Sequence, residues 1–185
     1  MPVSSEIPPH NLGLVIDFVN TFDVESQRDA LAGPAELTRW LRGQGLLEPA
    51  APPLGESELA RARELRAALR TALRAHTSGN ADGEAATTLQ MVAERGRLSV
   101  GFELDGTIRV GPRADGHAGA LAHLLVPIVH ATVDGTWLRV KACGDDTCQE
   151  AFYDASRNRS GRWCDMALCG NRSKVRAYRS KRGGP

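Results

Sequence analysis

The chain predicts an α+β protein. A mainly helical N-terminal part with one β-hairpin precedes a small C-terminal module of treble-clef-like or ribbon-like form, held by four cysteines. Three observations carry this. Apolar residues recur at helical spacing through much of residues 12–132, one short stretch instead alternates around an Asp-Gly pair, and all four cysteines fall within residues 143–169, where large apolar side chains are few.

The elements follow in order. The run LGLVIDFVNTF, 12–22, is apolar except for Asp17, Asn20 and Thr21, which are spaced i, i+3, i+4 and so share one helix face. A strand would bury Asp17 in its middle, which argues for helix. Residues 32–47 place Pro34 near a helix start and Leu37, Trp40 and Leu41 on one stripe, with Gly43 or Gly45 as the stop. A proline-rich connector, 48–57, leads to the clearest helix, 57–77. There Leu59, Ala62, Leu65, Leu69 and Leu73 line one side, and Ser57 suits the N-cap. After a break at 78–84, residues 84–95 read as another helix. Residues 98–112 alternate around Asp105-Gly106, a hairpin signal. Residues 117–132 are helical with Pro127 inside, so the helix must kink or restart there. Residues 135–143 read as a strand entering the first cysteine pair, and 170–181 as a short helix. Residues 183–185, GGP, read as a loose end.

Formal net charge is +1, but its distribution is polar. Residues 1–138 hold 12 basic and 17 acidic side chains, 12 − 17 = −5, and residues 139–185 hold 11 and 5, 11 − 5 = +6, which together give the +1. An acidic body with a basic end points to an anionic partner, nucleic acid above all, against the alternative of a merely solvated tail. No run of about 20 apolar residues suggests a membrane span. The segment MPVSSEIPPH has neither a basic nor an apolar signal region, so a reducing, cytoplasmic setting is expected.

Cys143 and Cys148 enclose four residues, and so do Cys164 and Cys169, with fifteen residues between the pairs. Two close pairs of thiolates suit tetrahedral zinc, and CGDDTC has the Gly and Asp of a turn between strands. The module's few aromatic and aliphatic side chains need such a staple, and a structural zinc contributes on the order of 10 kcal/mol. Redox thiols and disulfides in a secreted protein stay open as alternatives. Four sulfur ligands leave no position for a catalytic water.

Basic residues surround these cysteines. Arg157, Arg159 and Arg162 lie in the connecting loop, and Arg172, Lys174, Arg176 and Arg179 lie on the last predicted helix. Arg172, Arg176 and Arg179 follow i, i+4, i+7. Such a stripe could grip phosphates and, less securely, read bases, or it could pair with the acidic body. Val175 and Tyr178 beside it are expected to pack on the module. In the N-terminal part, Asp17, Asn20 and Thr21 form either a candidate ligand pocket or a buried polar network. The five histidines show no ligand spacing and no phosphate-cradling glycine loop occurs, so no enzyme is expected.

Cys169-Gly170-Asn171-Arg172, within CxxxxCxxxFYDxSRNRSxRWCDMxxCGNRxKxxxYR, resembles the signature of CGNR zinc-finger proteins, and LVIDFVNT, 14–21, is similar to the opening of the ABATE domain. The resemblance covers about residues 10–182. It implies an ABATE-like helical domain over 1–136, for sensing or interaction, and a basic CGNR-type finger over 137–185. It carries the zinc ligands onto Cys143, Cys148, Cys164 and Cys169. The whole then resembles a stress-induced bacterial transcription regulator that binds DNA through its finger. A zinc-stabilised protein-interaction module without nucleic acid is the main alternative. RNA binding through Tyr153, Trp163 and Tyr178, and an enzyme with a pocket at Asp17, are further ones.

Overall fold

The computed structural model describes residues 7–80 and 82–182. The expected loose end at 183–185 and the first part of the N-terminal stretch, 1–6, lie outside the described residues. The helices are α1 (Leu12–Asn20), α2 (Pro34–Gly43), α3 (Glu56–Ser78), α4 (Gly83–Arg95), α5 (Gly116–His123), α6 (Val126–Val133) and α7 (Asn171–Arg182). The strands form three two-stranded antiparallel ladders: β1 (Phe22–Asp23) with β2 (Arg28–Asp29), β3 (Ser99–Phe102) with β4 (Ile108–Gly111), and β5 (Val140–Ala142) with β6 (Ala151–Tyr153).

The long helix α3 is the axis, and α1, α2, α4, α5 and β5 pack on it. Its leucine stripe, Leu59, Leu65, Leu69 and Leu73, is buried against Leu12, Val15, Phe18 and Val19 of α1 and Leu37 and Leu41 of α2. Side chains three and four apart face the same way on a helix, so these stripes close into one core. The α3 start differs from expectation. Gly55 is the N-cap, and its N–H donates to the Glu58 carboxylate at 3.0 Å. Ser57 lies one position inside the helix and donates its hydroxyl to Glu58. The acidic side chain reaches back to the N-cap amide, while Ser57 lies past the N-cap position it was expected to fill.

Pro127 sits in the first turn of α6, and the chain breaks between α5 and α6 at the buried Leu124 and Leu125. Proline lacks the N–H that would continue the ladder, so the helix begins anew. The segment Gly116–Val133 is apolar enough by composition to cross a membrane, but 44% of it is buried inside the fold and it is two short helices. The 3₁₀ turn Trp137–Arg139 replaces the first part of the strand expected over 135–143. The β1–β2 ladder was not foreseen, because two residues per strand leave no alternation to read.

β5 and β6 do not form a separate small core. Val140, Ala142 and Ala151 belong to the same buried cluster as Leu12 and Leu73. Asn20 at the end of α1 seals the join: its amide donates to the Ala151 carbonyl at 2.9 Å, and its carbonyl accepts from the Ala151 N–H at 2.8 Å. A side-chain amide thus continues the β6 edge as a third strand would.

Candidate metal centre and basic surface

Each cysteine pair is held by its own local structure. The turn between β5 and β6 carries Cys143 and Cys148. The Cys143 N–H donates to Glu150 O at 2.8 Å and the Cys148 N–H to Asp145 O at 2.9 Å. Asp145 is buried and accepts from the Thr147 N–H and hydroxyl, which shapes the turn. Cys164 and Cys169 bracket the entry to α7. Asp165 caps the wide helical turn Met166–Gly170 by accepting from the Leu168 N–H at 2.9 Å. A hairpin turn thus faces a helix start, and the four cysteines form a small module of the kind expected.

The four sulfurs lie within 4.8 Å of one another, with Cys148–Cys164 at 3.6 Å and Cys164–Cys169 at 3.7 Å. Sulfurs at the corners of a tetrahedron with bonds of about 2.3 Å stand roughly 3.8 Å apart, so the donor set fits a single tetrahedral metal. Its acid–base chemistry agrees. Hydrogen bonds from the Cys148 and Cys164 thiols pull Cys143 down to about 2. The Cys143 thiolate in turn pushes Cys148 up to about 12 and pushes Cys164 up as well. Thiolates this close repel one another, and a divalent cation among them offsets that charge.

Two of the stripe arginines stand around this centre. Arg172 donates to the Cys169 sulfur at 3.2 Å and clasps the Glu25 carboxylate with both terminal nitrogens, at 2.5 and 3.2 Å. Its Nε lies 3.0 Å from the buried Asp145 carboxylate, and Arg176 also pairs with Asp145. Glu25 and the Cys169 sulfur hold the Arg172 guanidinium well above its ordinary range. Burial would raise the Asp145 carboxyl, but Arg176 and the Thr147 donors keep it lowered. Arg172 therefore bridges the sulfur cluster, the β5–β6 turn and the β1–β2 turn.

The other predicted basic residues are differently placed. Arg157, Arg159, Arg162, Lys174 and Arg179 are exposed. Arg159 donates to Gly135 O at 3.3 Å, and Arg162 stacks 5.6 Å above the Trp163 ring. Val175 and Tyr178, the residues read as able to pack on the module, are 48% and 58% exposed. A groove of about 680 Å³ runs beside α7, lined by Glu25, Thr147, Leu168, Asn171, Val175 and Arg179 among others.

Sequence reasoning missed what holds the basic loop. Lys141, pointing inward from β5, is buried. Its ammonium donates to Asp154 Oδ2 at 2.7 Å, Arg159 O at 2.5 Å and Gly161 O at 3.0 Å. Asp154 also accepts from the Ser156 N–H at 3.1 Å and the Gly161 N–H at 2.8 Å. A Cβ on Gly161 would stand 2.7 Å from that carboxylate, so any larger residue would push Asp154 against its partners. A lysine inside a three-residue strand was the available signal, since unpaired lysine is almost never buried.

Asp17, Asn20 and Thr21 are not brought to one cavity. Asp17 faces solvent, Asn20 is engaged with Ala151, and the buried Thr21 donates to Phe18 O and accepts from Arg66. Arg66 in turn forms a two-pronged pair with Asp29 at 2.6 and 2.8 Å. A cleft of about 320 Å³ beside Asn20 is lined by Phe22, Asp23, Glu25, Cys148 and Glu150.

Comparison with known families agrees with this architecture. The family ABATE, described as "Putative stress-induced transcription regulator", matches residues 12–135. The CGNR zinc finger matches residues 139–182. The chain belongs to the ABATE family. Its CGNR finger follows directly, and the signature's cysteine and arginine are the pair joined by the sulfur hydrogen bond above. No curated protein matches the chain.

Proposed function

We propose that this ABATE protein is a transcription regulator whose CGNR finger holds one structural zinc and binds duplex DNA through its exposed basic side chains. Arg157, Arg159 and Arg162 on the 154–162 loop and Lys174 and Arg179 on α7 are the phosphate contacts. Arg172 and Arg176 act from behind them, offsetting the charge of the thiolates and Asp145. The observation that carries the reading is the rigid tether of the loop: the Lys141–Asp154 clamp orders a segment whose cationic side chains point to solvent. Ordering cations in advance lowers the entropic cost of gripping a polyanion. A partner of this kind sets the protein in the reducing, cytoplasmic compartment that holds the chromosome. The cleft beside Asn20 is where an effector would act on the finger's anchor.

The test is fluorescence anisotropy of the reduced, metal-loaded chain on duplex DNA at several salt concentrations. Affinity should fall steeply between about 50 and 200 mM salt, and each phosphate contact removed should flatten the log–log slope by about 1. Replacing Arg157, Arg162, Lys174 and Arg179 by alanine should do so in steps. No binding at low salt would end the DNA reading. Elemental analysis should find one zinc per chain, and a metal-free protein that keeps its finger would end the zinc reading.

A second reading has its own support. Arg172 and Arg176, two members of the arginine stripe, are spent on Glu25 and Asp145. That favours a finger that acts partly as a protein-docking module, first of all for its own N-terminal body. A metal-loaded chain that retains no nucleic acid yet forms a defined complex would fit this second reading.

A further inference from the structure

The β3–β4 hairpin has one wholly apolar face. Val100 pairs with Val110 and Phe102 with Ile108 across the ladder, so all four point the same way. Phe102 is 80% exposed, Ile108 63% and Val100 52%, and Leu104 at the tip is fully exposed. The opposite face carries Gly101, Glu103 and Arg109, the last two paired at 3.2 Å. Among the described residues the ladder has only these two strands. A lone two-stranded hairpin is marginal in water, and an apolar patch of this size on a soluble surface marks an interface.

We propose that this face is the dimer interface of the protein, and that its occupant is the same hairpin of a second copy of the chain. Two features select that occupant. The apolar face carries no charged side chain, so nothing on it chooses an acidic or basic partner. Its size also fits self-association. With roughly 150–200 Å² for each residue, the exposed fractions amount to about 500 Å² of largely apolar surface per chain. Two copies packed face to face about a two-fold axis cover about 1,000 Å², the threshold of a specific interface. Stacked sheets sit about 10 Å apart, which leaves room for Phe102 and Ile108 of each copy to interleave. The hairpin shares no residue with the basic surface, so the proposal stands or falls apart from the nucleic-acid reading.

The test is sedimentation of the full metal-loaded chain over a concentration series. The wild type should reach twice the mass of one chain, and Phe102→Asp and Ile108→Arg should each return it to a single chain with unchanged metal content and helical circular dichroism. Arg109→Ala, on the polar face, should leave the dimer intact. Hydrogen exchange on the wild type needs no variant: protection of the amides in 99–111 should rise with protein concentration. A chain that stays monomeric throughout overturns the proposal. So does a dimer that survives Phe102→Asp, or a hairpin that gains protection only when a different protein is added.

Discussion

Replacing Lys141 by methionine tests the clamp that holds the basic loop. Methionine fills a similar volume but removes the cation and all three donors to Asp154, Arg159 and Gly161. Both side chains of the ion pair are nearly inaccessible, at 6% and 3% exposure, so water cannot replace the lost ammonium. The Asp154 carboxylate keeps two backbone donors, and its one escape is to take a proton. Breaking a buried pair by removing one partner costs about 3–5 kcal/mol. For a chain of this length the loss lowers the melting temperature by about 10 °C. Urea unfolding, with metal content held at one ion per chain, gives the free energy directly. Lys141→Met/Asp154→Asn should recover part of the loss, because no charge is left stranded. A single variant that loses less than about 1 kcal/mol, or a double variant as unstable as the two singles added, would refute the reasoning.

Three further expectations follow from the same geometry. Arg172→Ala removes the donor to the Cys169 sulfur, and losing such an outer partner should weaken metal retention by about 10-fold or more in competition with a chromophoric chelator. Burial lowers the His76 imidazole below its usual range, helped by the nearby Lys141 and opposed by the Val140 carbonyl. A depressed histidine contributes stability that is present above the unfolded value of about 6.5 and is lost as pH falls through the folded one. Stability should therefore drop from pH 7.5 to 5.5, and His76→Gln should drop less, by thermal unfolding at both pH values. Gly96→Ala places a methyl 2.0 Å from the Ala122 Cβ and 2.9 Å from the Ala118 carbonyl, where α4 ends against α5. Overpacking of this kind costs roughly 1–3 kcal/mol, visible as a shifted urea midpoint.

Much of the helical scaffold was legible because periodicity is a local property. The leucines of α3 announce a buried stripe whatever they meet, and Pro127 announces a break. The four cysteines were legible for a related reason: their chemistry narrows what paired thiols can do. What the helix pattern could not tell was what each face meets. The spacing of Arg172 and Arg176 put them on one stripe, but nothing in CGDDTC distinguishes a turn-forming Asp145 from a buried counter-ion. Nor does LVIDFVNT reveal that Asn20 bonds a backbone 131 residues away. The β1–β2 turn that delivers Glu25 escaped notice because it is shorter than any detectable alternation.

The shared ladder of β5 and β6 bears on how the protein can be taken apart. Cutting at the seam between the two family matches would strip Val140, Ala142 and Ala151 from the leucine cluster and leave the Asn20 amide with no backbone to hold. The helical half produced alone would carry a raw, sticky wound along α1 and α3. The cysteine half would lose the floor on which its first knuckle rests. Fragments made at that seam would be damaged reagents, because the strands beside the sulfur cluster also line the helical core.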